Sequence, residues 1–134
     1  LPMSPILRLM FTTAVALSAL GVNWPQFRGP GGRSLGEGPE PPSTFGATSN
    51  VLWQVDLPAG NSSPVIWGDR IFLTGQESNH LVVLALDRRD GHRLWTHHVL
   101  APNLEPTHRL GSPASPTPCT DGERVYAYFG PTAS

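Results

Sequence analysis

Ala85-Leu86-Asp87-Arg88-Arg89-Asp90-Gly91-His92-Arg93-Leu94-Trp95 closes one apolar run and opens another. The first run is Leu81-Val82-Val83-Leu84-Ala85-Leu86, and the second is Arg93-Leu94-Trp95-Thr96-His97-His98-Val99. Two short runs rich in branched and aromatic residues, flanking Asp90-Gly91, predict a β-hairpin. Within the turn, Asp87 can accept backbone N–H bonds, and Gly91 supplies the positive φ that the reversal needs.

Upstream, Pro64-Val65-Ile66-Trp67 and Arg70-Ile71-Phe72-Leu73-Thr74 are separated by Gly68-Asp69. Glycine at the first loop position suits a type II′ hairpin, whose twist matches that of the flanking strands. Four strands in a row joined by tight turns make one antiparallel meander. Before it, Val51-Leu52-Trp53-Gln54-Val55-Asp56-Leu57 reads as a further strand, ended by Pro58.

Downstream the pattern starts again. Ser63-Pro64-Val65-Ile66-Trp67-Gly68-Asp69-Arg70-Ile71-Phe72 is echoed, with two extra turn residues, by Ser115-Pro116-Thr117-Pro118-Cys119-Thr120-Asp121-Gly122-Glu123-Arg124-Val125-Tyr126. Leu52-Trp53 recurs as Leu94-Trp95, so the tryptophans lie 42 residues apart and the Ser-Pro pairs 52. Such spacings are those of one four-stranded propeller blade, the difference being the insert Ala101 to Gly111.

Composition agrees with an all-β chain. Gly and Pro, at 14 and 15 of 134 residues, are abundant, while a hydrophobic fraction of 39% separates the chain from disordered tails. Nine basic residues, all Arg, against ten acids give a net charge of -1 with no basic run, which excludes the usual footprint of a nucleic-acid binder. Cys119 is alone, so no internal disulfide and no Cys-based zinc site can form; a lone Cys of this kind reads as a small buried hydrophobe, with an intermolecular bridge as the alternative.

Residues 1–22 read as an address. Arg8 precedes Leu9-Met10-Phe11 and the run Ala14-Val15-Ala16-Leu17-Ser18-Ala19-Leu20, with small residues at Ala19 and Gly21 before a cleavage point at Val22. The run is short of the ~20 apolar residues of a membrane span, and the alternative is a buried N-terminal helix. No Cys follows it, so the expectation is an exported protein, periplasmic or extracellular, without a lipid anchor and not transmembrane once the signal is cleaved. Residues 23–48 follow as a Gly/Pro-rich loop segment; its Gly29-Pro30-Gly31-Gly32 lacks the preceding strand and the Lys-Ser/Thr of a phosphate loop.

The stretch Ala85 to Trp95 resembles the tryptophan-docking repeat of PQQ-like (quinoprotein-type) β-propellers, Ala-x-Asp-x-x-Thr-Gly-x-x-x-Trp. Ala85, Asp87, Gly91 and Trp95 match, and Asp90 stands where Thr is usual. Asn23-Trp24-Pro25-Gln26-Phe27-Arg28-Gly29-Pro30 and Ser112-Pro113-Ala114-Ser115-Pro116-Thr117-Pro118 resemble segments of exported members of that family. The resemblance implies a partial propeller of about one and a half blades. Residues 49–100 would supply a closing outer strand around Trp53 and one full blade, 101–114 an inserted loop, and 115–134 the first two strands of the next blade. It further implies that Trp95 packs between neighbouring blades, and that the remaining blades belong to a longer chain.

Two functions follow from the family. The first is a non-enzymatic binding or scaffold module for protein or glycan partners. The alternative is the N-terminal part of a PQQ- and Ca²⁺-dependent alcohol or sugar dehydrogenase. For the latter, neither the family's adjacent cysteines nor a set matching its calcium ligands or its Asp base is present in this stretch, so no cofactor is expected from these residues alone.

Other candidates are sparser. His97 and His98 alternate faces of a strand and cannot easily share a metal, while His80 and His92 fall in turns. Glu105, His108 and Arg109 lie in the inserted loop, where propellers place functional groups, and form the candidate loop site. Ser62, Ser63, Ser112 and Ser115 lack a Gly-x-Ser-x-Gly elbow, and Asn61-Ser62-Ser63 fits a glycosylation sequon.

Overall fold

A computed structural model describes residues 22–104 and 106–130. The apolar segment read as a signal peptide lies, up to Gly21, outside the described residues, as does Glu105 of the candidate loop site.

Four strands form one antiparallel sheet in chain order: β1 (Val65–Trp67), β2 (Arg70–Glu77), β3 (His80–Asp87) and β4 (Arg93–Leu100). A second sheet pairs β5 (Cys119–Thr120) with β6 (Val125–Tyr126). Apart from a single 3₁₀ turn at Pro30–Gly32, the described chain has no helix, and no helix there is long and apolar enough to cross a membrane. The all-β expectation and the meander are therefore both realised.

The hairpins follow the sequence closely. Trp67 pairs with Arg70 across Gly68-Asp69, and Gly68 alone of those two has positive φ, 57°, as a type II′ turn requires. Glu77 pairs with His80 across Ser78-Asn79, and Ser78 takes positive φ in place of a glycine. Between β3 and β4 the register shifts after Ala85: Ala85 pairs with Trp95 but Leu86 with Arg93, leaving Leu94 as the extra residue of a bulge.

β3 is central, and Leu81 to Asp87 is buried throughout, because chain covers both sheet faces. One face gathers Val82, Leu84 and Leu86 with Ile71 and Leu73. On the other, Ala85 packs with Val65, Phe72 and Val125, and Leu81 with Ala101, Ala114, Leu104 and Phe129. Segment 112–118 is fastened there through buried Thr74. The Thr74 hydroxyl lies 3.0 Å from both the Ala114 and the Pro116 carbonyl oxygens, and Ser63 N–H donates to Thr117 Oγ1 at 3.0 Å. β4, by contrast, is exposed along nearly its whole length, and its outer edge pairs with no strand among the described residues.

Val51–Leu57, expected as a closing outer strand, pairs with no other described residue, and Leu52 is 94% exposed. Being a strand requires a partner ladder, which an apolar pattern alone does not supply. Cys119 is exposed on the edge of a two-residue strand rather than buried as a small hydrophobe.

Candidate functional site

The turn from Asp87 to Gly91 is built by its own side chains. Asp87, 4% exposed, accepts hydrogen bonds from Arg89 N–H at 2.8 Å and Arg89 Nε at 2.9 Å through one oxygen, and from Arg89 Nη2 through the other. The guanidinium and the backbone N–H hold the Asp87 carboxyl well below the usual carboxylate range. Asp90, in the place usual for Thr, accepts from His92 N–H at 3.0 Å, with His92 Nδ1 2.7 Å away; these bonds lower its pKa too. Gly91 closes the turn at φ 76°, donating to Asp87 O at 2.8 Å.

A tight turn so arranged leaves one carbonyl and one bare Cα facing outward, and Trp53 takes both. Its Nε1 donates to Arg88 O at 3.0 Å, and its ring lies flat against Gly91, where a Cβ would come within 2.5 Å of ring carbon. The sequence separates Trp53 from Gly91 by 38 residues, and the fold makes them one unit.

The same device appears twice more. Trp24 rests on Gly29 (φ 70°), where a Cβ would lie 2.6 Å from the ring, and Trp67 rests on Gly122 (φ 94°), which has no room for a Cβ either. Neither pairing was legible in the sequence beforehand; the available signal was a Trp and a turn glycine recurring in each segment. Three of the four tryptophans thus sit on glycines whose φ is positive.

Trp95 differs. Its ring stands 5.9 Å from Phe72 at a 37° tilt, is 39% exposed, and has no glycine beneath it. It borders a groove between the sheet face and the β5–β6 hairpin. Two adjoining cavities of about 350 and 430 Å³ form this groove, sharing Arg70, Phe72 and Gly122. Val83, Trp95 and His97 line the first, and Thr120, Arg124 and Val125 face them. Ala85, the first residue of the docking motif, is fully buried beneath Phe72.

Among the described residues, one group of side chains could offer ligands to a metal: Asp87, Asp90 and His92. Both Asp87 oxygens are taken by Arg89, whose cation stands where a metal would, and Asp90 is tied to His92. These residues do not fit a calcium site. The candidate loop site is not assembled by contacts of the described residues. His108 and Arg109 are exposed, and His108 Nδ1 accepts only the nearby Leu110 N–H at 3.3 Å. Three of the four serine hydroxyls are engaged in structure: Ser62 exchanges hydrogen bonds with the Thr74 backbone, and Ser112 and Ser115 fasten their own loop, while Ser63 contributes its backbone N–H, to Thr117 Oγ1. The exposed Asn61 of the sequon donates its side-chain N–H to Leu110 O at 3.1 Å.

Compared with known proteins, the chain matches no family model, no curated protein and no solved structure.

Proposed function

We propose that this chain is part of an exported, PQQ-like β-propeller that acts as a non-enzymatic scaffold, offering loops and blade edges to protein or glycan partners. One observation carries the reading: Trp53, from before β1, is seated on the Asp87–Gly91 turn, while Trp95, its counterpart one repeat later, stands over an open groove. A repeat whose tryptophan docks on the turn of the next repeat is one that continues in series. In this reading β1–β4 is a complete blade and β5–β6 the inner half of its neighbour. The groove along Phe72, Val83 and Trp95 is then the room that the neighbour's outer strands fill. Export rests on Arg8 and the apolar run that follows it.

The scaffold reading is favoured over the dehydrogenase because the Asp87, Asp90 and His92 cluster is spent on structure. Asp87 and Asp90 build a turn, and the Ser62, Ser112 and Ser115 hydroxyls fasten loops. The test is a titration of the full-length protein with pyrroloquinoline quinone, with and without Ca²⁺, followed by tryptophan fluorescence. No saturable quenching is expected at high quinone concentration. Tight, calcium-dependent quenching would replace the scaffold with the dehydrogenase.

A further inference from the structure

Residues Asn23–Pro25 lie across the first strand of each sheet. Trp24 exchanges both backbone hydrogen bonds with Ile66 of β1, each 2.8 Å, on the edge that β2 leaves free. One residue on, Pro25 O accepts Thr120 N–H of β5 at 2.9 Å. One residue before, Asn23 Oδ1 accepts Gly68 N–H at 2.8 Å. Three consecutive residues therefore satisfy donors in both sheets. An exposed strand edge is a template for an added strand, and this one is filled by the chain itself.

The segment is also prepared for the task. The Trp24 ring folds onto Gly29, and the loop behind it is closed by Gly29 N–H to Gln26 O at 2.9 Å, Ser34 N–H to Arg28 O at 2.8 Å, and Arg28 Nε to Ser34 Oγ at 2.9 Å. A loop already held in its bound shape loses little entropy on docking. Backbone groups of successive extended residues point to opposite sides, so Trp24 faces β1 while Pro25 faces β5, and Pro25, having no N–H, can only accept there.

We infer that the free edges of β1 and β5 together form a binding site for an extended Asn-Trp-Pro peptide, and that residues 23–25 occupy it in cis as a removable clasp. Resting on the propeller reading, these are the innermost strands of two successive blades, so the clasp lies along the wall of the central channel.

The test uses the full-length chain, a variant lacking residues 22–34, and a synthetic peptide of those residues. Hydrogen exchange is read at the amides of Ile66, Gly68 and Thr120. In the truncated variant all three should exchange at least ~tenfold faster, and added peptide should restore the slow rates, whereas peptide carrying Trp24→Ala should not. Unchanged exchange on truncation, or a peptide that restores nothing, overturns the site. Should the truncated chain not fold, Asn23→Ala in the intact chain provides the answer. Gly68 alone should then exchange faster, and an unaltered Gly68 rate removes the assignment. A response at Ile66 without one at Thr120 defeats the two-sheet clasp and leaves the propeller reading standing. If all three amides respond but Trp95→Ala leaves the full-length protein's stability unchanged, the peptide site stands and the propeller reading falls.

Discussion

Gly91 and Gly68 have nearly the same backbone problem and very different surroundings. Both hold positive φ, 76° and 57°, but a Cβ at Gly68 meets nothing within 4 Å, whereas at Gly91 it would enter the Trp53 ring. Gly68→Ala should therefore cost about 1–2 kcal/mol, the price of left-handed backbone alone. Gly91→Ala should cost at least ~1 kcal/mol more, because the ring must leave its seat and surrender its hydrogen bond to Arg88 O. Chemical denaturation of the two variants checks the difference, and equal losses would mean that the Trp53 seat contributes nothing. The roles of Asp87 and Gly91 within their turn were legible from residue type, since carboxylates beside turn N–H groups and glycine at positive φ are local physics. What sits on the turn was not legible, because an aromatic ring finds its glycine through space.

Elements were read with uneven success for a physical reason. The β1–β4 meander is joined by two-residue turns or a single compact one, so each strand finds its partner in its sequence neighbour. Val51–Leu57 has equal apolar character and no such neighbour, and it runs unpaired. The short β5–β6 hairpin is held by two side chains: Thr120 Oγ1 donates to Arg124 O and accepts from Gly122 N–H, and Asp121 accepts from Arg124 N–H, Glu123 N–H and the Tyr126 hydroxyl at 2.7, 2.9 and 2.8 Å. The latter bonds lower the Asp121 pKa from 3.8 to about 2, led by the Arg124 N–H, and in turn raise that of Tyr126. The charged form is the one held in the fold, so its contribution is complete above the unfolded value and fades as pH falls from ~4 through about 2. Amide chemical shifts of residues 121–126 should move over that window, and Asp121→Asn should abolish the change. Shifts that stay constant down to pH 2 would show that the carboxylate does not hold the turn.

At the scale of the whole molecule, the half-exposed Trp95 and the open groove are the features that a following blade would cover. In the full-length protein, Trp95→Ala should destabilise by ~3–5 kcal/mol, the range for truncating a large buried aromatic. A loss below about 1 kcal/mol in a denaturant melt would remove the docking role. The recurrence of Trp53 and Trp95 at an interval of 42 residues was legible, but that one is seated on a turn and the other over a groove was not. The clasp across β1 and β5 was hidden, because the segment that makes it contains neither periodicity nor a repeat. The glycine seats carry a further consequence for how such a chain diverges. Every one-base change that replaces a glycine codon adds at least a Cβ, and at Gly29, Gly91 and Gly122 that atom has nowhere to go. Drift can rewrite the exposed loops and the exposed positions of β4 other than Trp95 while these three positions stay fixed. Distant kin of this chain should then be traceable by the intervals between a tryptophan and its glycine long after their overall similarity has been erased.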